Sequence, residues 1–307
     1  MTTHVPVLLK EVMEGLNIRP GMFVVDGTLG GGGHTKEILN RIGGGTLLAV
    51  DRDPDAVERF RAESDLPAGA TALQAGKSSG AVILESANFS ALVDILRRRN
   101  LGEADGLLLD LGFSSDQTDP PAGGGRGFSF MRDEPLIMTY DPAQKPVMTL
   151  LKELDHMELA QIIRSYGDER YAQRIADAIK NAVRRAPIET SRALADIIVA
   201  AVPSRYEHGR IHPATRTFQA LRIYANDELG ALENVLADIE WIVRPGGRVA
   251  IISFHSGEDR IVKRAFRVKE KEGVLKIITK KPVRASPEEV RANPRARSAK
   301  LRIAEVI

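Results

Sequence analysis

Short apolar runs recur through the first third of the chain, each followed by a stretch whose apolar positions have helical spacing. The runs at 22–26, 46–50, 81–86 and 106–111 predict strands, and the segments at 34–42, 54–62 and 90–100 predict helices. Strands that alternate with helices point to a parallel sheet covered on both faces. Residues 64–80 are rich in Ala, Gly and Ser without apolar periodicity and read as a surface loop.

After Asp110 the alternation stops. Residues 113–135 carry many Gly, Pro, Ser and Asp and read as irregular, whereas 146–201 turn helical, as in Leu159, Ile162, Ile163 and Tyr166. Thr190-Ser191 opens a further helix. A helix over 215–240 then restores the first pattern, followed by a Pro245-Gly246-Gly247 turn, a strand at 248–254, a basic helix at 258–270 and strands at 274–280 and 299–306. The expected organisation is a discontinuous α/β domain, 1–115 and 215–307, interrupted by an all-helical domain, 116–214. The insertion leaves from the carboxyl end of the fourth strand, where open α/β sheets bind ligands.

The first strand, Val24-Val25-Asp26, runs into Gly27-Thr28-Leu29-Gly30-Gly31-Gly32-Gly33-His34. Glycine tolerates positive φ and lets a ligand approach the main chain. The second strand ends in Asp51, 21 residues after Gly30. An acid at about that distance holds ribose hydroxyls in doubly wound folds. A dinucleotide site would need G-x-G-x-x-G and a pyrophosphate at the helix start, where Asp26 would repel it. S-adenosylmethionine carries an ammonium and a sulfonium and no phosphate, and it suits a carboxylate there. A nucleoside-triphosphate loop fails because Thr71 stands where the first glycine before Gly76-Lys77-Ser78 must be.

At 307 residues the chain forms one large domain or two. No apolar stretch approaches the ~20 residues that span a bilayer, and the amino-terminal residues lack a secretory layout. The absence of cysteine excludes disulfides, thiolate metal sites and cysteine nucleophiles, and it fits a soluble cytoplasmic protein. Ser253, His255, Ser256 and Asp259 contain the letters of a hydrolase triad, but no G-x-S-x-G surrounds them. No H-E-x-x-H spacing exists, so no metal is expected. The net charge of +2 hides an asymmetry: residues 263–302 hold fourteen Lys and Arg against four acids, leaving 29 basic and 37 acidic residues elsewhere. A basic block on an acidic protein points to a polyanionic partner.

Six motifs, in order, carry a resemblance. Asp26-Gly-Thr-Leu-Gly-Gly-Gly-Gly-His34, Leu109-Asp-Leu-Gly-Phe-Ser-Ser115, Arg126-Gly-Phe-Ser-Phe130, His212-Pro-Ala-Thr-Arg-Thr-Phe-Gln-Ala220, Ile252-Ser-Phe-His-Ser256 and Asn293-Pro-Arg-Ala-Arg-Ser298 resemble the bacterial small-subunit (16S) ribosomal RNA (cytosine-N4)-methyltransferase family. The resemblance implies a Rossmann-like S-adenosylmethionine-dependent methyltransferase sheet with an inserted helical substrate-recognition domain. It further implies methylation of a cytidine N4 in small-subunit ribosomal RNA, within the assembled subunit, by a cytoplasmic enzyme. Carried over residue by residue, Gly32, Gly33 and His34 would lie along the methionine end of the cofactor, Asp51 would hold the ribose and Phe89 would pack near the adenine. Asp110 and Gln117 would complete the pocket, with Asp110 also the candidate acceptor for the target amino group, and Arg295 and Arg297 would hold RNA. Residues 135–140, Pro-Leu-Ile-Met-Thr-Tyr, depart from the family's Pro-Leu-Asp-Met-Arg-Met run. The alternative is a non-catalytic RNA-binding protein that keeps the fold; its signature would be loss of Asp51 or of the glycines, and both are present.

Overall fold

Eight strands among the described residues make one sheet in the order β3-β4-β2-β1-β5-β6-β8-β7. The computed structural model describes residues 6–64, 80–112, 125–206 and 211–307, together with the backbone of 73–75. The strands are β1 (Phe23–Asp26), β2 (Thr46–Asp51), β3 (Leu73–Ala75), β4 (Gly80–Ser86), β5 (Ala104–Asp110), β6 (Val243–Ser253), β7 (Leu275–Ile277) and β8 (Lys300–Val306). β4, β2, β1, β5 and β6 run parallel, while β3, β8 and β7 pair antiparallel with their neighbours. The four expected strands of the first third are all present. β3 lies inside the expected loop, where no apolar alternation announced it.

The central strands are apolar at consecutive positions because both sheet faces are buried. Successive side chains leave a strand on opposite faces, and Val24 and Leu108 enter one core while Val25, Leu107 and Leu109 enter the other. Helices α2 (Gly33–Arg41), α3 (Pro54–Glu63) and α4 (Leu92–Arg99) connect the strands. A helix without an expectation, α1 (Leu9–Leu16), precedes them and buries Val12, Met13 and Leu16. Its eight residues are too few for periodicity to stand out. The strand order reverses between β1 and β5, which places a ligand crevice outside their carboxyl ends.

The chain divides into one unit formed by residues 1–113 and 229–307 and a second formed by 114–228. The second contains α5 (Val147–Glu153), α6 (His156–Gly167), α7 (Ala172–Val183), α8 (Ser191–Ala201) and α9 (Thr215–Asn226). Asp155 and Glu158 form a capping box that starts α6. α9 buries Phe218, Ala220 and Leu221 in the helical core with Leu159, Ile163 and Ile175. The expected single helix over 215–240 is therefore broken, first at Asp227 and again at Asp238, and the boundary falls at 228 rather than 214. Asp227, at φ 46°, makes the first break, and α10 (Glu228–Ala237), followed by the one-turn α11 (Ile239–Ile242), instead buries Leu232, Val235 and Leu236 against the sheet. Both halves keep helical periodicity while serving different cores, so the pattern could not reveal the break.

The departing segment 135–140 lies in this second core, with Leu136, Met138 and Tyr140 buried. The Tyr140 amide donates to Asn226 Oδ1 at 2.9 Å, and Asn226 Nδ2 donates to the Met138 carbonyl at 2.8 Å. Glu228 receives the Tyr140 hydroxyl at 3.2 Å and two bonds from Arg222, both at 2.9 Å. The segment is thus structural, and its sequence answers to packing. Among the described residues, no helix is long and apolar enough to cross a membrane.

Candidate active site

Three aspartates stand at the carboxyl ends of adjacent strands: Asp26 on β1, Asp51 on β2 and Asp110 on β5. Asp26 is fully buried and turns inward. Its carboxylate accepts from the Thr35 hydroxyl at 2.7 Å and the Thr28 amide at 3.1 Å. The expectation that Asp26 meets a ligand ammonium is therefore corrected, because its oxygens tie the glycine turn to α2. Burial pushes its carboxyl above the usual range, against the three donor contacts from Thr35 and Thr28.

Asp51 is partly exposed. Its Oδ2 accepts from the Gly30 amide at 2.8 Å and its Oδ1 from the Asp53 amide at 2.9 Å. These bonds orient the carboxylate and leave a second lone pair on each oxygen. Burial raises its pKa to about 6, with smaller upward contributions from Asp53 and Asp26. Further hydrogen-bond donors would stabilise the anion.

Asp110 is held by its backbone, whose amide donates to Thr28 Oγ1 at 2.6 Å. Its Oδ2 lies 3.4 Å from His34 Nδ1. Its Oδ1 is buried and has no hydrogen-bond partner among the described residues. Burial, then the charges of Asp26 and Glu258, push its carboxyl well above the ordinary range. A buried oxygen in that condition is an acceptor awaiting a donor.

Gly32 and Gly33 cap and begin α2. A side chain at Gly32, φ +71°, would place its Cβ 2.3 Å from the Phe60 ring, and one at Gly33 would meet Pro6 at 3.1 Å. Glycine is required there by the protein's own packing, beyond any ligand. Phe89 opens a 3-10 turn capped by Asn88 and packs against the sheet core. A Cβ on Gly27 would lie 3.2 Å from that of Phe89, so the ring is brought beside the glycine turn. Gln117 lies outside the described residues.

The triad letters are dispersed to other tasks. Asp259 binds Arg302 at 2.7 Å and Lys300 at 3.4 Å, and His255 Nδ1 caps α12 (Ser256–Lys271). Glu258, which the sequence reading passed over, is 3% exposed and receives the Phe254 and His255 amides at 2.8 and 3.2 Å. The usual S/T/D/N-x-x-E capping signature misses it, because His255 takes the capping role. Among the described residues, no group of His, Asp and Glu is arranged to hold a metal ion.

The model of the MraW methylase family matches residues 1–307, the whole chain. The chain belongs to the MraW methylase family. It is 45% identical over 316 residues to Ribosomal RNA small subunit methyltransferase H of Symbiobacterium thermophilum, covering 97% of this chain and 95% of that protein. The protein of the same name from Deinococcus radiodurans is 46% identical over 303 residues, covering 99% and 89%. Among solved structures, an rRNA methylase from Streptococcus thermophilus aligns with TM-score 0.39 at 10% identity, covering 97% and 93%.

This MraW-family chain is a methyltransferase with a Rossmann-like sheet, and its methyl donor is S-adenosylmethionine. The donor set fits that cofactor. Oriented acceptors on Asp51, an acceptor on Asp110 that has no partner among the described residues, and an acidic surround suit a cationic ligand with hydroxyl and ammonium donors, and they oppose a phosphate.

Proposed function

We propose that this MraW-family enzyme transfers a methyl group to the N4 amino group of a cytidine in small-subunit ribosomal RNA. The observation that carries the site reading is the buried Oδ1 of Asp110, which has no hydrogen-bond partner among the described residues, at the crevice between β1 and β5. Asp51 would hold the ribose, the backbone at Gly32, Gly33 and His34 would follow the methionine end, and Phe89 would lie by the adenine. The cofactor supplies an activated methyl group on a cationic leaving group. What remains for the protein is alignment and an acceptor for the amino hydrogen. Asp110 Oδ1 provides that acceptor.

The helical unit and the basic block support an RNA partner. Lys269, Lys300 and Arg302 are taken up by Glu240 and Asp259. Exposed Arg260, Lys263, Arg264, Arg267 and Lys271 remain as a stripe along α12. Like charges three and four residues apart weaken an isolated helix, and a phosphate backbone relieves them. Arg297 is exposed and Arg295 half-buried in the 3-10 turn Pro294–Ser298, which extends the same proposal. A cleft of about 380 Å³ in the helical unit, lined by Gln144, Leu150, Tyr166 and Tyr224, offers aromatic faces to an unstacked base. We place the reaction in the cytoplasm, on the assembled small subunit.

Incubation with radiolabelled S-adenosylmethionine and unmodified small subunits, naked ribosomal RNA, transfer RNA or DNA tests the assignment. Label in small subunits as N4-methylcytidine is expected, and label confined to transfer RNA or DNA would refute it. Carbon-5-tritiated cytosine should keep its tritium. Methylation at carbon 5 needs a cysteine adduct at carbon 6, and this chain has no cysteine. Tritium release in step with methyl transfer would exclude N4.

Replacing residues 114–228 with a short linker should leave S-adenosylmethionine binding measurable by calorimetry while RNA methylation disappears. Retained turnover on RNA would show that the helical unit is no substrate platform.

A further inference from the structure

His34 is buried at the start of α2, and its ring is fixed at both nitrogens. Nε2 lies 3.0 Å from the Val7 carbonyl oxygen. A carbonyl only accepts, so Nε2 carries the hydrogen and Nδ1 is left as the basic nitrogen. Nδ1 faces Asp110 Oδ2 at 3.4 Å, and the other oxygen of that carboxyl has no partner among the described residues. A neutral imidazole nitrogen and a carboxylate oxygen would oppose lone pair to lone pair. One proton therefore belongs between them.

We propose that His34 and Asp110 form a proton-relay dyad, in which Asp110 Oδ1 receives the hydrogen leaving the target amino group and Oδ2 passes its own to His34 Nδ1. The inference rests on the N4 reading given above. In the resting dyad the shared proton is on Oδ2 and the imidazole is neutral. The N4 lone pair forms the nitrogen–carbon bond as the carbon–sulfur bond breaks, its electron pair remaining on sulfur. The displaced N4 proton goes to Oδ1 and the Oδ2 proton moves to Nδ1. The positive charge that began on the sulfonium ends on the imidazolium, so atoms and charge balance without another reactant. Among the described residues, Asp26 on β1 and Glu258 on α12 also act on Asp110 through their charges, and both favour its protonated form at rest. The imidazole thereby does what an ordinary solvated carboxylate would not require. It lets a carboxyl that holds a proton still accept one.

Asp110 would touch the substrate and is the catalytic member; His34 acts through it as a positioning residue. The test uses the full chain labelled with nitrogen-15 histidine, without cofactor or RNA. His34 is assigned among the six histidines by comparison with His34→Gln. The expected spectrum has a protonated Nε2 and an Nδ1 resonance that moves when Asp110→Asn removes the shared proton, while Nε2 stays protonated. A His34 ring protonated at Nδ1 with bare Nε2, or an Nδ1 resonance indifferent to Asp110→Asn, would overturn the dyad. In parallel, His34→Gln should lower the single-turnover rate at saturating S-adenosylmethionine about 10- to 100-fold. An unchanged rate would likewise overturn it. Because the spectra need no substrate, a failed dyad leaves the N4 assignment standing, and a failed N4 assignment is read separately from the digested product.

Discussion

Asp51→Ala is expected to weaken S-adenosylmethionine binding by about 3–6 kcal/mol, two charge-assisted hydrogen bonds at about 1.5–3 kcal/mol each. That corresponds to a dissociation constant raised about 100- to 10,000-fold. The Asp51 carboxylate is already oriented by the Gly30 and Asp53 amides, so the ribose meets a fixed acceptor pair. Its pKa of about 6 gives the binding a pH dependence. Ligand donors favour the anion, so affinity should tighten as pH rises through about 6 and weaken below it. Stability of the free protein runs the opposite way. A carboxyl whose folded pKa exceeds the unfolded value contributes full stability only below the unfolded value, and loses it as pH rises through the folded one. Free Asp51→Asn should therefore exceed wild type at neutral pH by on the order of 1–2 kcal/mol, since one pKa unit corresponds to about 1.4 kcal/mol and one acceptor is lost. The advantage should vanish near pH 4. Calorimetry with the cofactor, with NAD as a ligand that does not compete, and melting curves at both pH values check this. An unchanged dissociation constant would remove Asp51 from the site.

Asp110→Asn is expected to lower the single-turnover methyl-transfer rate by about 100- to 10,000-fold, the range for a positioned acid–base group. The amide preserves shape and one acceptor oxygen but cannot take the N4 proton. The loss should persist at saturating S-adenosylmethionine. Recovery of the wild-type rate on saturation would make Asp110 a cofactor ligand alone. Its carboxyl is held well above the ordinary range by burial and by Asp26 and Glu258. By the same linkage, Asp110→Asn should raise the melting temperature of the free protein at neutral pH, with the difference fading as the pH falls towards that of an unfolded carboxyl. A site that stabilises the protein when mutated and silences it at the same time is a site that stability was sacrificed for.

The sequence by itself determined what local pattern can carry. Consecutive apolar residues at 24–25, 47–50 and 107–109 specify strands buried on both faces, and the positions where those runs stop put Asp26, Asp51 and Asp110 at one edge of the sheet. The alternation of strand and helix, the helical insertion after the fourth strand and the motifs shared with the family were legible for the same reason. The tertiary structure decided which of those groups are free to act. Asp26 looks like a ligand residue in sequence, but Thr35 on α2 turns it inward. The glycines look like room for a ligand, yet Phe60 and Pro6 occupy the space beside Gly32 and Gly33. The basic block counts Lys269, Lys300 and Arg302, which are engaged by Glu240 and Asp259. His34 and Asp110 are separated by 75 intervening residues and become a pair only because α2 starts beside the end of β5. The boundary at Asp227 required knowing which core each half of an unbroken helical pattern would enter. Periodicity reports that a residue is buried; it carries no information about which partner buries it, and the chemistry of this site is set by partners.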